Sequence, residues 1–280
     1  MRAPEIYIPD GLPPETGLSR TTHLGIGAHQ DDLEFMAFHG IAECFYSADR
    51  WFGGVICTDG KGSSRKGPYA NTSDDELCEI RMREQRQAAD IGRYSFVAQL
   101  MYPSGSIVRP QGTALVEELR ELLAKTCPEV VYTHNPADKH VTHIRVLVAV
   151  MEAIKQLPAS GRPQRLYGCE GWRGLDWLDD AEKIVMDVSG SAHLASALVG
   201  VFDSQIAGGK RYDLAVAGRR KANATFLNAK QGDAISDAAL AIDLTPLIGA
   251  DPSELLPFTL KYVDRLRQNI QDHLENSLSQ

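Results

Sequence analysis

Short apolar runs alternate along this chain with longer amphipathic stretches, and that alternation restricts the fold more than any other feature. Runs of about five to eight residues suit buried strands, and stretches of about twelve to seventeen with helical spacing suit the helices between them. A strand, a crossover helix and a parallel strand connect in a right-handed sense, with helices packed on the sheet. The expected class is therefore α/β: a Rossmann-like, mostly parallel sheet with helices on both faces, plus C-terminal additions. Strands are predicted over 23–28 (HLGIGA), 51–58, 96–101 and 129–133, with shorter ones near 166–168 and 183–188. Helices are predicted over 33–45, 76–91, 113–125 and 141–157. Asp74 or Asp75 is the expected cap of the second helix and a left-handed Gly92 its stop, while Cys127-Pro128 ends the third. The stretch from about Leu240 reads as a lid, an interface arm or a last layer. Residues 1–22 form a lead, 23–205 a catalytic α/β domain, and 206–280 an extension packed on it.

Composition removes several classes of function. With 280 residues, 43% apolar and 24% charged, the chain can build a globular core. A net charge of −8 supplies no positive field for nucleic acid or anionic lipid. The five cysteines are odd in number and sit in apolar surroundings, which suits reduced thiols and a cytoplasmic location. Prolines and carboxylates occupy the first twenty or so residues where an export signal needs an apolar run, and no run is long enough to span a membrane.

Two polar clusters fall where strands end, the place at which open parallel sheets bind ligands. The first is His29-Gln30-Asp31-Asp32; the second runs from His134 to His143. Each alone is ordinary turn or cap chemistry, since paired aspartates favour a helix start and Asn-Pro-Ala-Asp favours a turn. Together they offer the nitrogen and oxygen donors of a catalytic divalent-metal site: His29, Asp32 and one histidine of the second cluster. Neighbouring Asp31 and Asp32 point in different directions, so one carboxylate can hold a metal while the other takes a proton from water. His23, His39 and His193 have no such partners and read as structural. The loop 59–75, rich in glycine and serine, reads as a lid.

These residues resemble the PIG-L or LmbE-like family of zinc-dependent N-deacetylases. The family's AHPDD motif is similar to Ala28-His29-Gln30-Asp31-Asp32, and its second motif to Asp138-Lys139-His140-Val141-Thr142-His143. The resemblance, which covers about 23–205, implies that His29, Asp32 and His143 hold the metal and that Asp31 is the general base. It sets His140 beside the substrate carbonyl, as oxyanion donor and acid for the leaving amine. Arg81, Glu84 and Ala88 match a third motif, which makes Arg81 face substrate, and Ser204-Gln205 matches a fourth. Thr142 stands where the family has aspartate, so His140 is expected to act neutral unless Asp138 takes that place. The implied function is deacetylation of a small N-acetylated sugar or glycoconjugate, with Zn2+ as cofactor and Fe2+ or another divalent ion as the alternative. Self-association is left open. Two rival readings are a non-haem iron oxygenase, which also uses two histidines and a carboxylate, and a nucleotide-binding protein with a degenerate GIGAHQDD phosphate loop.

Overall fold

A computed structural model describes residues 3–227 and 232–279. Eight strands form one sheet: β1 (Glu5–Tyr7), β2 (His23–Gly27), β3 (Phe52–Thr58), β4 (Phe96–Tyr102), β5 (Val130–His134), β6 (Arg165–Cys169), β7 (Lys183–Asp187) and β8 (Ala238–Asp243). Their order is β1-β4-β3-β2-β5-β6-β8-β7. The five strands from β4 to β6 in that order are parallel, and β1, β7 and β8 add antiparallel pairings at the two sides. The predicted class is thus the observed one.

Chain order explains where a site can form. From β2 the chain winds outward through β3 and β4, then returns and winds the other way through β5 and β6. Helices leaving β2 and β5 diverge to opposite faces, and a crevice opens beyond the carboxyl ends of these two neighbours. Both polar clusters follow β2 and β5 directly.

Each face of the sheet carries its own apolar layer. Leu24, Ile26, Val55 and Val131 pack against the helices Ala114–Thr126 and Val141–Lys155. Phe52, Ile56 and Val97 pack with the helices Phe38–Phe45, Asp74–Ile91 and Ala192–Gly200. Glycine is required on the second face of β2. A Cβ at Gly27 would lie 2.9 Å from the Asp32 Cβ, so a side chain there would push Asp32 away from the strand end.

Three local expectations are corrected. The helix predicted over 33–45 divides at Ala37 into Asp32–Met36 and Phe38–Phe45, because Ala37 leaves the helical region with ψ of 16°. Ser73 caps the Asp74–Ile91 helix, not Asp74 or Asp75; its hydroxyl accepts from Glu76 N–H and the Glu76 carboxylate accepts from Ser73 N–H, a capping box. Gly92 is right-handed (φ −78°), and Arg93 takes the positive φ of 54°. Glycine at 92 instead leaves space for the Tyr94 ring, which any Cβ would strike. The stretch from about Leu240, left open between a lid, an interface arm and a last layer, begins within β8, which inserts between β6 and β7 and completes the sheet, a pairing partner that no local pattern in the sequence specifies. The helix Leu255–Leu278 follows it.

Candidate active site

Asp31 is the most constrained residue of the crevice. Its backbone is left-handed (φ 94°), an uncommon conformation for a side chain branched at Cγ, and it is the N-cap position of the Asp32–Met36 helix without acting as a side-chain cap. The conformation is held from both sides. Asp31 N–H donates to Gln85 Oε1 (3.2 Å), and Arg81 Nη2 donates to the Gln30 carbonyl (2.5 Å) and to Asp31 Oδ2 (3.4 Å). Turning the backbone this way separates the Asp31 and Asp32 carboxylates, as their unlike chemistry requires. Burial, reinforced by the nearby carboxylates of Asp32, Glu34 and Glu84, drives the Asp31 carboxyl well above its ordinary range against the pull of Arg81.

Asp32 belongs to a different network. Its Oδ2 accepts from His29 N–H (2.7 Å) and lies 3.4 Å from His29 Nδ1, while Oδ1 lies 3.6 Å from His143 Nε2. His143 Nε2 and His29 Nδ1 are 3.2 Å apart. Ligands bound tetrahedrally at about 2.0–2.1 Å are separated by about 3.3–3.4 Å, so the spacing of these donors fits one zinc-type ion. Electrostatics agrees with the spacing. Burial acts against charge on Asp32, yet the rings of His143, His134 and His29 hold its carboxyl well below the usual range. Burial likewise acts against His143, yet Asp32 and Asp138 raise its pKa. The position favours positive charge, so the donor set fits a divalent cation.

The second cluster supplies both faces of His143. Asp138 Oδ2 lies 3.4 Å from His143 Nδ1, which leaves Nε2 turned to Asp32 and His29. That carboxylate is fixed by Trp172 N–H on Oδ2 and His140 N–H on Oδ1, each at 3.0 Å. Asp138 therefore does not replace the family's aspartate beside the His140 ring; it serves His143. His134 stacks on His143 with centroids 3.8 Å apart, and its Nε2 accepts from Ala28 N–H at 3.0 Å. That bond joins the ends of β5 and β2 and occupies the nitrogen that faces Asp32 at 3.5 Å. Two other groupings of close donors occur among the described residues: Asp32, His134 and His143, which this bond disfavours, and His29, His140 and His143, in which His140 already uses Nδ1 to accept from Thr142 N–H. Neither role was legible beforehand. The only hint was that His134 and Asp138 precede His143 within the same polar run.

His140 caps the Val141–Lys155 helix: its Nδ1 accepts from Thr142 N–H at 3.3 Å. An N–H can only donate, so Nδ1 is the unprotonated nitrogen and Nε2 carries the proton. Burial, and then His143 and His29, lower the pKa of this ring, which favours its neutral form. Its ring centroid is 4.9 Å from that of His29.

Arg81 lines the cavity but its guanidinium is turned inward. Besides Gln30 and Asp31 it donates to the Gly60 carbonyl (3.3 Å) and to Ser63 Oγ, and only 2% of the residue is exposed. The third and fourth motifs meet in space: Glu84 accepts from Ser204 N–H (2.7 Å) and from Ser204 Oγ (2.6 Å). The histidines expected to be structural are partnered elsewhere, His23 by Thr22 Oγ1, His39 by Tyr132 OH and His193 by Tyr46 OH.

A cavity of about 500 Å³ opens over the two clusters. Gly60 to Ser64 of the 59–75 loop border it on one side, and Lys210, Tyr212 and Arg219 from the C-terminal part on another. The loop is tethered at Ser64, whose hydroxyl donates to the Gly208 carbonyl (3.3 Å), and at Tyr69, which donates to Asp203 (2.7 Å). Residues after 205, outside the resemblance, thus build part of the cavity wall.

The α/β sheet, its switch point and the crevice beyond β2 and β5 define an open α/β protein with its site at the strand ends, and known structures share that fold. A conserved protein of Thermus thermophilus superposes with a TM-score of 0.64 at 19% identity, over 80% of this chain and 94% of that one. The N,N'-diacetylchitobiose deacetylase of Pyrococcus horikoshii gives 0.61 at 17%, over 85% and 89%. GalB, the 4-carboxy-2-hydroxymuconate hydratase of Pseudomonas putida, gives 0.61 at 19%, over 80% and 96%. Residues 24–154 form a PIG-L family domain, the family described as GlcNAc-PI de-N-acetylase. No curated protein matches the chain in sequence. Among the described residues no helix is long and apolar enough to cross a membrane.

Proposed function

We propose that the protein is a divalent-metal-dependent N-deacetylase acting on a small N-acetylated sugar or glycoconjugate. The carrying observation is the division of labour within one buried pair: Asp32 joins the His29–His143 donor set, and Asp31, one residue away, is turned to the cavity and held by Arg81. One fold hosts both a deacetylase and a hydratase, so the reaction is argued from the site. A base beside a cation-favouring donor set suits attack of water on an amide. A phosphate-binding reading fails on two buried carboxylates at the helix start, where an anion would be repelled.

When bound at His29, Asp32 and His143, the cation supplies Lewis acidity that makes water acidic near neutrality and polarises an acyl oxygen. Asp31 takes a proton from water as the oxygen adds to the acyl carbon. His140 Nε2–H donates to the acyl oxygen as it gains negative charge. As the carbon–nitrogen bond breaks, the protonated Asp31 carboxyl delivers its proton to the amine. Burial that favours the protonated form of Asp31 suits this relay, and it relieves the neutral His140 of the acid role that the family resemblance gave it. Zinc is the default ion, with iron(II) the alternative for such donors.

Metal analysis of the purified protein, combined with amine release from a panel of N-acetylated sugars and glycosides, tests the reading. One divalent ion per chain and release of acetate with amine are expected. A metal-loaded protein that hydrates an unsaturated acid but releases no amine would refute the deacetylase reading and retain the metal site.

A further inference from the structure

The C-terminal helix Leu255–Leu278 is anchored only at its beginning. Leu255 and Tyr262 are buried, Tyr262 meets Phe258 and Trp177, and Arg265 donates to Glu182 at 2.7 Å. Every residue from Arg267 to Ser279 is exposed, so about 13 residues, or roughly 20 Å of helix at 1.5 Å per residue, project from the domain. Yet the exposed face of the helix is not polar. Leu256, Leu260, Val263, Ile270, Leu274 and Leu278 are 66%, 47%, 39%, 50%, 56% and 84% exposed. Together with Arg267 they advance by steps of four, three, four, three, four and four, the spacing of a two-helix seam. An apolar stripe of this regularity on a projecting helix is an unpaired interface.

Charge selects the occupant and its direction. The half up to Arg267 carries Lys261, Arg265 and Arg267 against Asp264; the half beyond it carries Asp272 and Glu275 and no lysine or arginine. Two such helices side by side in the same direction would set cations on cations and anions on anions. Reversed, each cationic half meets an anionic one. In a register centred near Gln268, Val263 faces Leu274 of the second copy, Leu260 reaches Leu278, and Arg265 and Lys261 come near Asp272 and Glu275. We propose that a second copy of this chain pairs antiparallel along this helix, so that the protein is a dimer joined at the Leu256–Leu278 stripe. The seam is only about three heptads long, and both helices are already formed on their domains. The dimer is therefore of moderate strength, half dissociated at a concentration on the order of 10 µM.

Sedimentation velocity of the full chain from about 1 to 100 µM tests this. The mass is expected to rise from one chain to two, and Ile270→Asp with Leu274→Asp to weaken the dimer at least a hundredfold. Two charge variants read direction without touching the apolar residues of the stripe. D272K/E275K is expected to weaken pairing about tenfold, and K261E/R265E/D272K/E275K to restore it, because exchanging the sign of the facing residues preserves antiparallel complementarity. A single-chain mass at 100 µM overturns the proposal, as does a dimer indifferent to both the stripe and the charge variants, or a monomer that floats with phosphatidylcholine–phosphatidylglycerol vesicles through this helix.

Discussion

Replacing Arg81 with methionine removes the group that holds Asp31 while keeping a side chain of similar length. In the native protein the guanidinium serves four acceptors, the Gln30 and Gly60 carbonyls, Ser63 Oγ and the Asp31 carboxylate. Both partners of the Arg81–Asp31 pair are buried, at 2% and 6% side-chain exposure. Breaking a buried ion pair from one side costs about 3–5 kcal/mol, because the remaining charge stays without compensation. Asp31 can escape part of that cost by taking up a proton, since its burial already favours the neutral form. The stability loss should therefore fall near 3 kcal/mol, the lower end of that range. A permanently protonated Asp31 cannot accept a proton from water, and turnover should fall about 10²-fold or more with metal content unchanged. Arg81→Lys keeps the charge but not the fork, and should recover part of the stability. Urea unfolding at pH 7, paired with steady-state kinetics, reads both quantities. A stability within about 1 kcal/mol of wild type combined with a raised KM and normal kcat would refute this reasoning, and would return Arg81 to the substrate-facing role that the sequence resemblance implied.

Further outcomes are expected elsewhere. Asp31→Asn should lower turnover by about 10²–10⁴-fold with metal retained, whereas Asp32→Asn should lose metal and activity together; metal analysis showing the reverse pattern would exchange their roles. Burial lowers the His23 pKa to about 4 from 6.5, so below pH 6.5 the unfolded chain binds the proton first and stability falls until about pH 4. Between pH 7 and pH 5 this amounts to about 2 kcal/mol, and the difference in unfolding free energy between wild type and His23→Gln, read from urea titrations, should shrink by that amount as pH falls. Ser204→Ala removes a hydroxyl that donates to buried Glu84 and should cost about 1–3 kcal/mol in thermal unfolding. Unchanged melting would show that Glu84 is satisfied by the Ser204 backbone alone.

The sequence by itself determined the parallel α/β class, because strand and helix periodicities are local properties of a few consecutive side chains. It also placed His29, Asp31 and Asp32 together, since three residues on one strand-to-helix turn cannot separate. Tertiary structure decided what joins that turn. Chain reversal between β2 and β5 brings His143 within 3.2 Å of His29 across 114 residues, a proximity set by strand order and invisible in spacing. The same reversal lets His134 bond Ala28 N–H and gives Asp138 to His143 in place of His140. The family resemblance set Arg81 facing substrate, and a motif tells which residues share a helix face but not what lies opposite; packing set its guanidinium against the Gln30 carbonyl and Asp31. Most of all, β8 and the cavity wall at Lys210, Tyr212 and Arg219 lay beyond sequence reasoning. A strand inserted from a distant segment is specified by the edges it satisfies, and those edges exist only once the sheet has formed.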